Sequence, residues 1–308
     1  MKTITVISHF SIGYHIVREI LYKTDYIVHW CLLSKDVLHS SHTDTQLKYI
    51  RELTGYFPKR IITRKRETLT EDAVDGVDTV IYTADFYSIS TTTTTNDDEK
   101  DTATYQLPLE YFLPYLKGRK IIYLSRTMYD DHFGNFKEEM DETKLINDHE
   151  VELYDNEDIV KLLNLSHPEY TKLGTIVIRC QEVYGDEMVD SPVTDIVNAY
   201  RTGNTISING DIAINIIHIA SLCNFIIDIV INNKMILKAK SIHICDPRDV
   251  TSMLSIARTL HKHKRNFDIN YNYLSKDSRR YKLDMALALD IGFKPLNLLS
   301  KFLEVEMK

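Results

Sequence analysis

Glycine is scarce in this chain, 10 of 308 residues, less than half the usual share of about 7%. Few positions can therefore take glycine-dependent turns. Cysteine is also sparse. Cys31, Cys180, Cys223 and Cys245 are scattered, with no CxxC and no framework spacing, which excludes a disulfide scaffold and suits free thiols in a reducing compartment. No basic stretch followed by a long apolar run opens the chain, and polar residues interrupt every later apolar segment before it reaches a spanning length. A soluble, cytoplasmic protein with no membrane contact is expected. Zinc-ligand spacings, a P-loop and a nucleophile elbow are all missing. No metal site is expected: His39, His42 and the run His261–Lys264 have no cysteine or carboxylate pattern beside them, and read as solvated helix ends.

The net charge of −7 is unevenly spread. From Asp130 to Asp158 twelve acids face only Lys137 and Lys144, a local charge of −10. From Arg258 to Lys282 eight Lys or Arg face Asp268 and Asp277, a local charge of +6. Both runs read as solvated faces. The acidic one disfavours a polyanion nearby, and no nucleic-acid partner is expected even though Tyr271, Tyr273 and Tyr281 interleave the basic one.

What is present is alternation. Apolar runs at Thr3–Ser8, Tyr26–Leu33, Ile61–Thr63, Thr79–Ala84, Lys120–Ser125 and Thr175–Arg179 read as strands buried on both faces. Between them, Gly13–Lys23, Thr45–Thr54, Tyr105–Lys117 and Glu150–Leu163 carry helical patterns. The fold class is α/β: a doubly wound, mostly parallel, Rossmann-like sheet. Its core is expected over residues 1–185, with a smaller mixed α/β region over 186–308 interleaved with it. Ser88–Asp101, with five consecutive threonines and then four acids within five residues, reads as a surface loop.

The first strand–turn–helix, KTITVISHFSIGYHIV, has one glycine where a dinucleotide-binding turn has three. Stepping back by threes from Gly13 puts Phe10 and Ile7 at the other two positions. The first glycine of such a turn permits the bend and the second admits a pyrophosphate, so bulk at both places is expected to obstruct the phosphate bed.

RCQEVYG (Arg179–Gly185), SIGYHIVREIL, VDTVIYTA ending at Ala84, KIIYLSRTMYDD, INGDIAINIIHIASLCNFIIDIV and DIGFKPLNLLSKFLEVE together resemble the extended short-chain dehydrogenase/reductase family, the NAD(P)-dependent sugar epimerases and dehydratases, over nearly the whole chain. The resemblance implies a Tyr-x-x-x-Lys pair on one helix face, in which the lysine holds the nicotinamide ribose and lowers the tyrosine's pKa, with a Ser or Thr orienting the substrate oxygen. The matching tyrosine is Tyr154, the hydroxyl Thr127 or Ser125, and the lysine position holds Asp158. An acid there stabilises the protonated phenol and repels phosphates. Lys161 is seven residues from Tyr154, about two turns along, and too remote to substitute.

Other stations of the family pattern are also altered. The ribose-binding acid falls at Leu32 or Leu33, with Ser34, Lys35 and Asp36 beyond. Tyr82 stands at a histidine position, and the Asp of His-Val-x-Asp falls at Ser221 after His218. The family's substrate groups map to Arg179 and Tyr184, with Arg279 or Arg280 as anion partners for a sugar-nucleotide-like ligand. The helices Tyr105–Lys117 and Glu150–Leu163 are those the family uses for dimers. The expectation is a degenerate member with no nicotinamide cofactor, acting as a non-catalytic binding or regulatory partner in a homodimer or heterodimer. An active epimerase, dehydratase or reductase using NAD(P) in a remodelled site, and a small-molecule sensor gated by the threonine loop, are the alternatives.

Overall fold

The computed structural model describes residues 2–32, 43–65, 74, 76–83, 119–126, 145–146, 175–188, 191–209, 211, 213–232, 241–249, 251–263, 267–272, 282–283 and 285–307. In chain order the strands are β1 (Thr3–Ser8), β2 (Ile27–Leu32), β3 (Ile61–Lys65), β4 (Thr79–Tyr82), β5 (Lys120–Arg126), β6 (Leu145–Ile146), β7 (Thr175–Cys180), β8 (Glu182–Tyr184), β9 (Ile206–Asn209), β10 (Ala213–Ile214), β11 (Ile216–His218), β12 (Ser241–His243), β13 (Thr251–Ser252), β14 (Ile269–Asn272) and β15 (Lys282–Leu283). The helices are α1 (Phe10–Lys23), α2 (Thr43–Tyr56), α3 (Pro192–Thr202), α4 (Ile219–Ile231), α5 (Met253–His263), α6 (Ala286–Asp290) and α7 (Leu299–Glu306).

A seven-stranded sheet runs in the order β12-β7-β5-β4-β1-β2-β3. β1 pairs in parallel with β2, Thr3 opposite Ile27, and with β4, Ile4 opposite Thr79. The order therefore reverses at β1, which makes the carboxyl end of that strand the switch point of the sheet. Ile4, Val6 and Ile7 of β1, Val80 and Ile81 of β4, and Ile121 and Ile122 of β5 are all buried. Burial on both faces explains why these strands read as continuous apolar runs rather than alternating ones.

The expected strands are all present, β1 with the expected ends and the others with one or both ends moved by one or two residues. α1 differs more: it starts at Phe10, three residues before Gly13. A helical first turn sets Phe10 four residues from Tyr14, and the two rings stack at 5.5 Å, a contact that an open glycine turn would forgo. At its other end the Thr24 hydroxyl and N–H both donate to the Ile20 carbonyl, and the helix stops there.

The chain divides into two compact units: 1–125 with 153–178 and 226–240, and 126–152 with 179–225 and 241–308. The second unit has its own core, where α3, α5 and α7 bury Val193, Ile196, Val197, Leu254, Leu260 and Phe302 around Tyr184. β8 and β11 pair in parallel beside them. No helix among the described residues is long and apolar enough to cross a membrane, and all four cysteines are buried and free. The Ser88–Asp101 loop and the helices expected at 105–117 and 150–163 lie outside the described residues.

Candidate functional site

β1 passes into α1 through His9, whose side chain makes no capping bond. No acid lies in the first turn, so the helix brings no carboxylate of its own to its positive end. Gly13 is held close against the sheet. A Cβ at this position would lie 1.8 Å from Ser8 Oγ and 3.0 Å from Trp30 Nε1, and those two atoms form a buried hydrogen bond of 3.0 Å, the indole N–H donating. Gly13 thus performs the helix–strand packing of the third glycine in a dinucleotide turn.

The other two positions carry the expected bulk, drawn into the interior. Ile7 is fully buried and Phe10 is 3% exposed. The Phe10 ring sits in an aromatic cluster with Tyr14, Trp30 at 5.9 Å and Tyr49 of α2 at 6.4 Å. Across the switch point the Thr83 N–H bonds to the Ile7 carbonyl at 2.9 Å. The Thr83 hydroxyl, on a residue 2% exposed, is buried with no hydrogen-bond partner. Beside it Tyr82 stacks on Tyr123 of β5 at 5.7 Å, where the family resemblance called for a histidine. Ser125 of β5 is half-buried. Ala84, Thr127, Tyr154, Asp158, Arg279 and Arg280 lie outside the described residues.

In the second unit α3 begins with Ser191 and Pro192. The proline needs no N–H partner at this first helical position. Ser191 makes no capping bond through its side chain, is 1% exposed, and has an unpartnered hydroxyl; Thr194 Oγ1, one turn on, is also buried and unpartnered. Two buried hydroxyls stand at the positive end of an eleven-residue helix, donors for an oxyanion, in a first turn that also carries the acid Asp195. Sequence reasoning missed them, because a serine before a proline reads as an ordinary cap whose oxygen the backbone would use.

Arg179 and Tyr184, expected beside a ligand, are core residues, 5% and 0% exposed. The Tyr184 hydroxyl donates to Asp249 Oδ2 at 3.0 Å, and burial, reinforced by Asp249 and Asp246, raises its pKa far above the ordinary phenol value. Burial also raises Asp246 and Asp249 against the hydrogen bonds they receive, and it lowers His218 to about 4. At neutral pH His218 is therefore uncharged, and its Nδ1 accepts the Ala220 N–H at 3.1 Å. Ser221, at the position of the family's aspartate, donates its hydroxyl to Asp246 Oδ1 at 3.0 Å, and the His218 N–H donates to Oδ2 of the same carboxylate at 2.9 Å.

No family model and no curated protein matches the chain. Solved structures do. UDP-glucuronic acid 4-epimerase from Bacillus cereus in complex with NAD aligns over 100% of this chain and 95% of its own, at TM-score 0.72 and 16% identity. The architecture is that of nucleotide-sugar epimerases and dehydratases. dTDP-glucose 4,6-dehydratase from Bacillus anthracis in complex with NAD aligns over 100% and 96% at TM-score 0.68 and 14% identity. DesIV, the dTDP-glucose 4,6-dehydratase of Streptomyces venezuelae with NAD and TYD bound, aligns over 100% and 96% at 0.67 and 15%.

These neighbours correct the expectation that no nicotinamide cofactor is used, since the same fold is solved with NAD in each of them. The physical reason lies at α1. A pyrophosphate is held by backbone N–H groups of a helix start, and here the N-cap residue His9 makes no side-chain capping bond while the two bulky residues are buried. The residues present fit a nicotinamide dinucleotide in three respects: the close-packed Gly13, the acid-free start of α1 and the unpartnered Thr83 hydroxyl at the switch point.

Proposed function

We propose that this chain is an extended short-chain dehydrogenase/reductase relative that binds a nicotinamide dinucleotide and a nucleotide-sugar-like ligand without running the family's usual redox cycle, and acts as a binding or regulatory partner. The observation that carries the binding half is the Gly13 turn, where α1 lies so close to β1 that no larger residue fits. Residues 10–12 would hold the pyrophosphate through the helix start, and Thr83 would meet the dinucleotide at the switch point. The second ligand's phosphates would be met by Ser191 and Thr194. Such a coenzyme supplies reversible hydride transfer in these enzymes. This chain's contribution to the proton step is what has changed, because Asp158 stands where a lysine would assist Tyr154, and a carboxylate raises a neighbouring phenol's pKa rather than lowering it.

Calorimetric titration with NAD+ and with NADP+, followed by a turnover assay on UDP-glucuronic acid and dTDP-glucose, tests both halves. Saturable binding of one dinucleotide with no product is expected. Absence of binding sinks the first half, and product formation that depends on Tyr154 sinks the second.

A further inference from the structure

The C-terminal helix α7 is tied into the second unit at both ends, and each tie leads to α3. At its start the Leu299 N–H donates to Asp249 Oδ2 at 3.0 Å, the same oxygen that accepts the Tyr184 hydroxyl. One carboxylate atom thus joins α7 to the end of β8, whose Tyr184 packs in the same core as Val193, Ile196 and Val197 of α3. The approach to α7 is fixed as well: the Leu296 N–H donates to Ser221 Oγ at 3.2 Å, and the Arg248 N–H to Asn297 Oδ1 at 3.0 Å, with Asn297 in the left-handed region at φ 52°. At the far end Glu306 takes a two-pronged bond from Arg201, in the last turn of α3, at 2.8 and 2.7 Å. The Glu306 side chain is 5% exposed and that of Arg201 56%, so the carboxylate is shielded while the guanidinium faces solvent, and the two-pronged geometry is what sets the pair apart from an ordinary surface one. Between the ties Phe302 packs edge-on to the Tyr184 ring at 5.5 Å and lies 6.4 Å from the His218 ring.

The turn that α7 secures has little room to readjust. Gly185 sits at φ 151°, and a Cβ there would come within 2.6 Å of Ile219 Cγ2. Tyr184 shares one core with Val193, Ile196 and Val197 of α3 and with Phe302 of α7, so a displacement of Tyr184 reaches α3 through that packing.

We propose that α7 braces α3 from both sides, so that docking of the C-terminal helix and binding of a phosphate-bearing ligand at Ser191 and Thr194 strengthen one another. The coupling is reciprocal by thermodynamic necessity. It rests on the assignment of the α3 start as a ligand site, but the mechanical half does not, and the two can be separated.

The test uses the full chain, uridine diphosphate as probe, and two variants, Glu306→Gln and Arg201→Lys, each of which removes the two-pronged pair conservatively. Amide hydrogen exchange is followed in residues 299–307 and 195–202, with and without probe, and affinity is measured by calorimetry. Exchange in 299–307 is expected to quicken about two- to fivefold in both variants, with exchange in 195–202 quickening alongside. Uridine diphosphate should bind about fivefold more weakly to the variants and slow exchange in α7 of the unaltered chain. Unchanged probe affinity in variants whose α7 exchanges faster overturns the proposal. If the probe does not bind the unaltered chain, the ligand assignment fails by itself. The brace is then judged without ligand: faster exchange in 195–202 of the variants supports it, and unchanged exchange there overturns it.

Discussion

Gly13→Ala is the sharpest perturbation of the fold. In a helix interior alanine is ordinarily better than glycine by about 1 kcal/mol, so a neutral site would be stabilised. Here the added methyl lies 1.8 Å from Ser8 Oγ and 2.7 Å from Ser8 Cβ, and Ser8 is a fully buried strand residue with nowhere to move. Overpacking of this kind costs about 1–3 kcal/mol. Loss of the Ser8–Trp30 hydrogen bond, which leaves a buried indole N–H unpaired, costs about another 1–3 kcal/mol. Against the helix gain the net destabilisation is about 1–5 kcal/mol, or a melting temperature lower by about 2–10 °C at roughly 2 °C per kcal/mol. Urea and thermal unfolding measure it. Adding Ser8→Gly removes both crowding atoms and should recover about half the loss, the remainder being the unpaired Trp30 N–H. A Gly13→Ala protein within about 0.5 kcal/mol of the unaltered chain would refute the close packing of α1 on β1.

Lys120 is buried, donates to the Ile229 carbonyl at the end of α4, and burial lowers its pKa from 10.5 to about 8. Between those values the unfolded chain holds a proton that the folded one lacks, so this residue makes stability rise with pH there. Lys120→Met should remove that rise while changing stability at pH 7 by about 1 kcal/mol or less, as measured by urea unfolding across the range. His218, lowered to about 4 from 6.5, has the same sign in a lower window: stability should fall as pH drops from 6.5 toward 4, and His218→Gln should flatten that slope. Cys31 is buried and its thiol is pushed up to about 12. With the other three cysteines also buried, a colorimetric thiol reagent should leave all four unmodified in the native protein and titrate four after unfolding.

The sheet was legible because β1, β4 and β5 are buried on both faces and so carry uninterrupted apolar runs, and Gly13 stood out as the lone glycine of its turn. The start of α1 was not legible. Its helical first turn depends on Phe10 meeting Tyr14, Trp30 and Tyr49, and two of those partners come from other elements. Ser221 read as a lost carboxylate, and the carboxylate that it meets, Asp246, is 25 residues away and reaches it only in the folded chain. Tyr184 looked like a ligand group, whereas Asp249, 65 residues on, holds its hydroxyl inside the core. Spacing finds residues that share a helix face or a turn. It cannot find hydrogen bonds that exist only after β8, β11 and α7 have packed together.

Titration of the purified chain with NAD+, with the nicotinamide absorbance band followed while a nucleotide sugar is added, tests the central claim most directly. Saturable binding with an unchanging nicotinamide band is the expected result. No binding, or a band that rises and falls with turnover of the sugar, would contradict it.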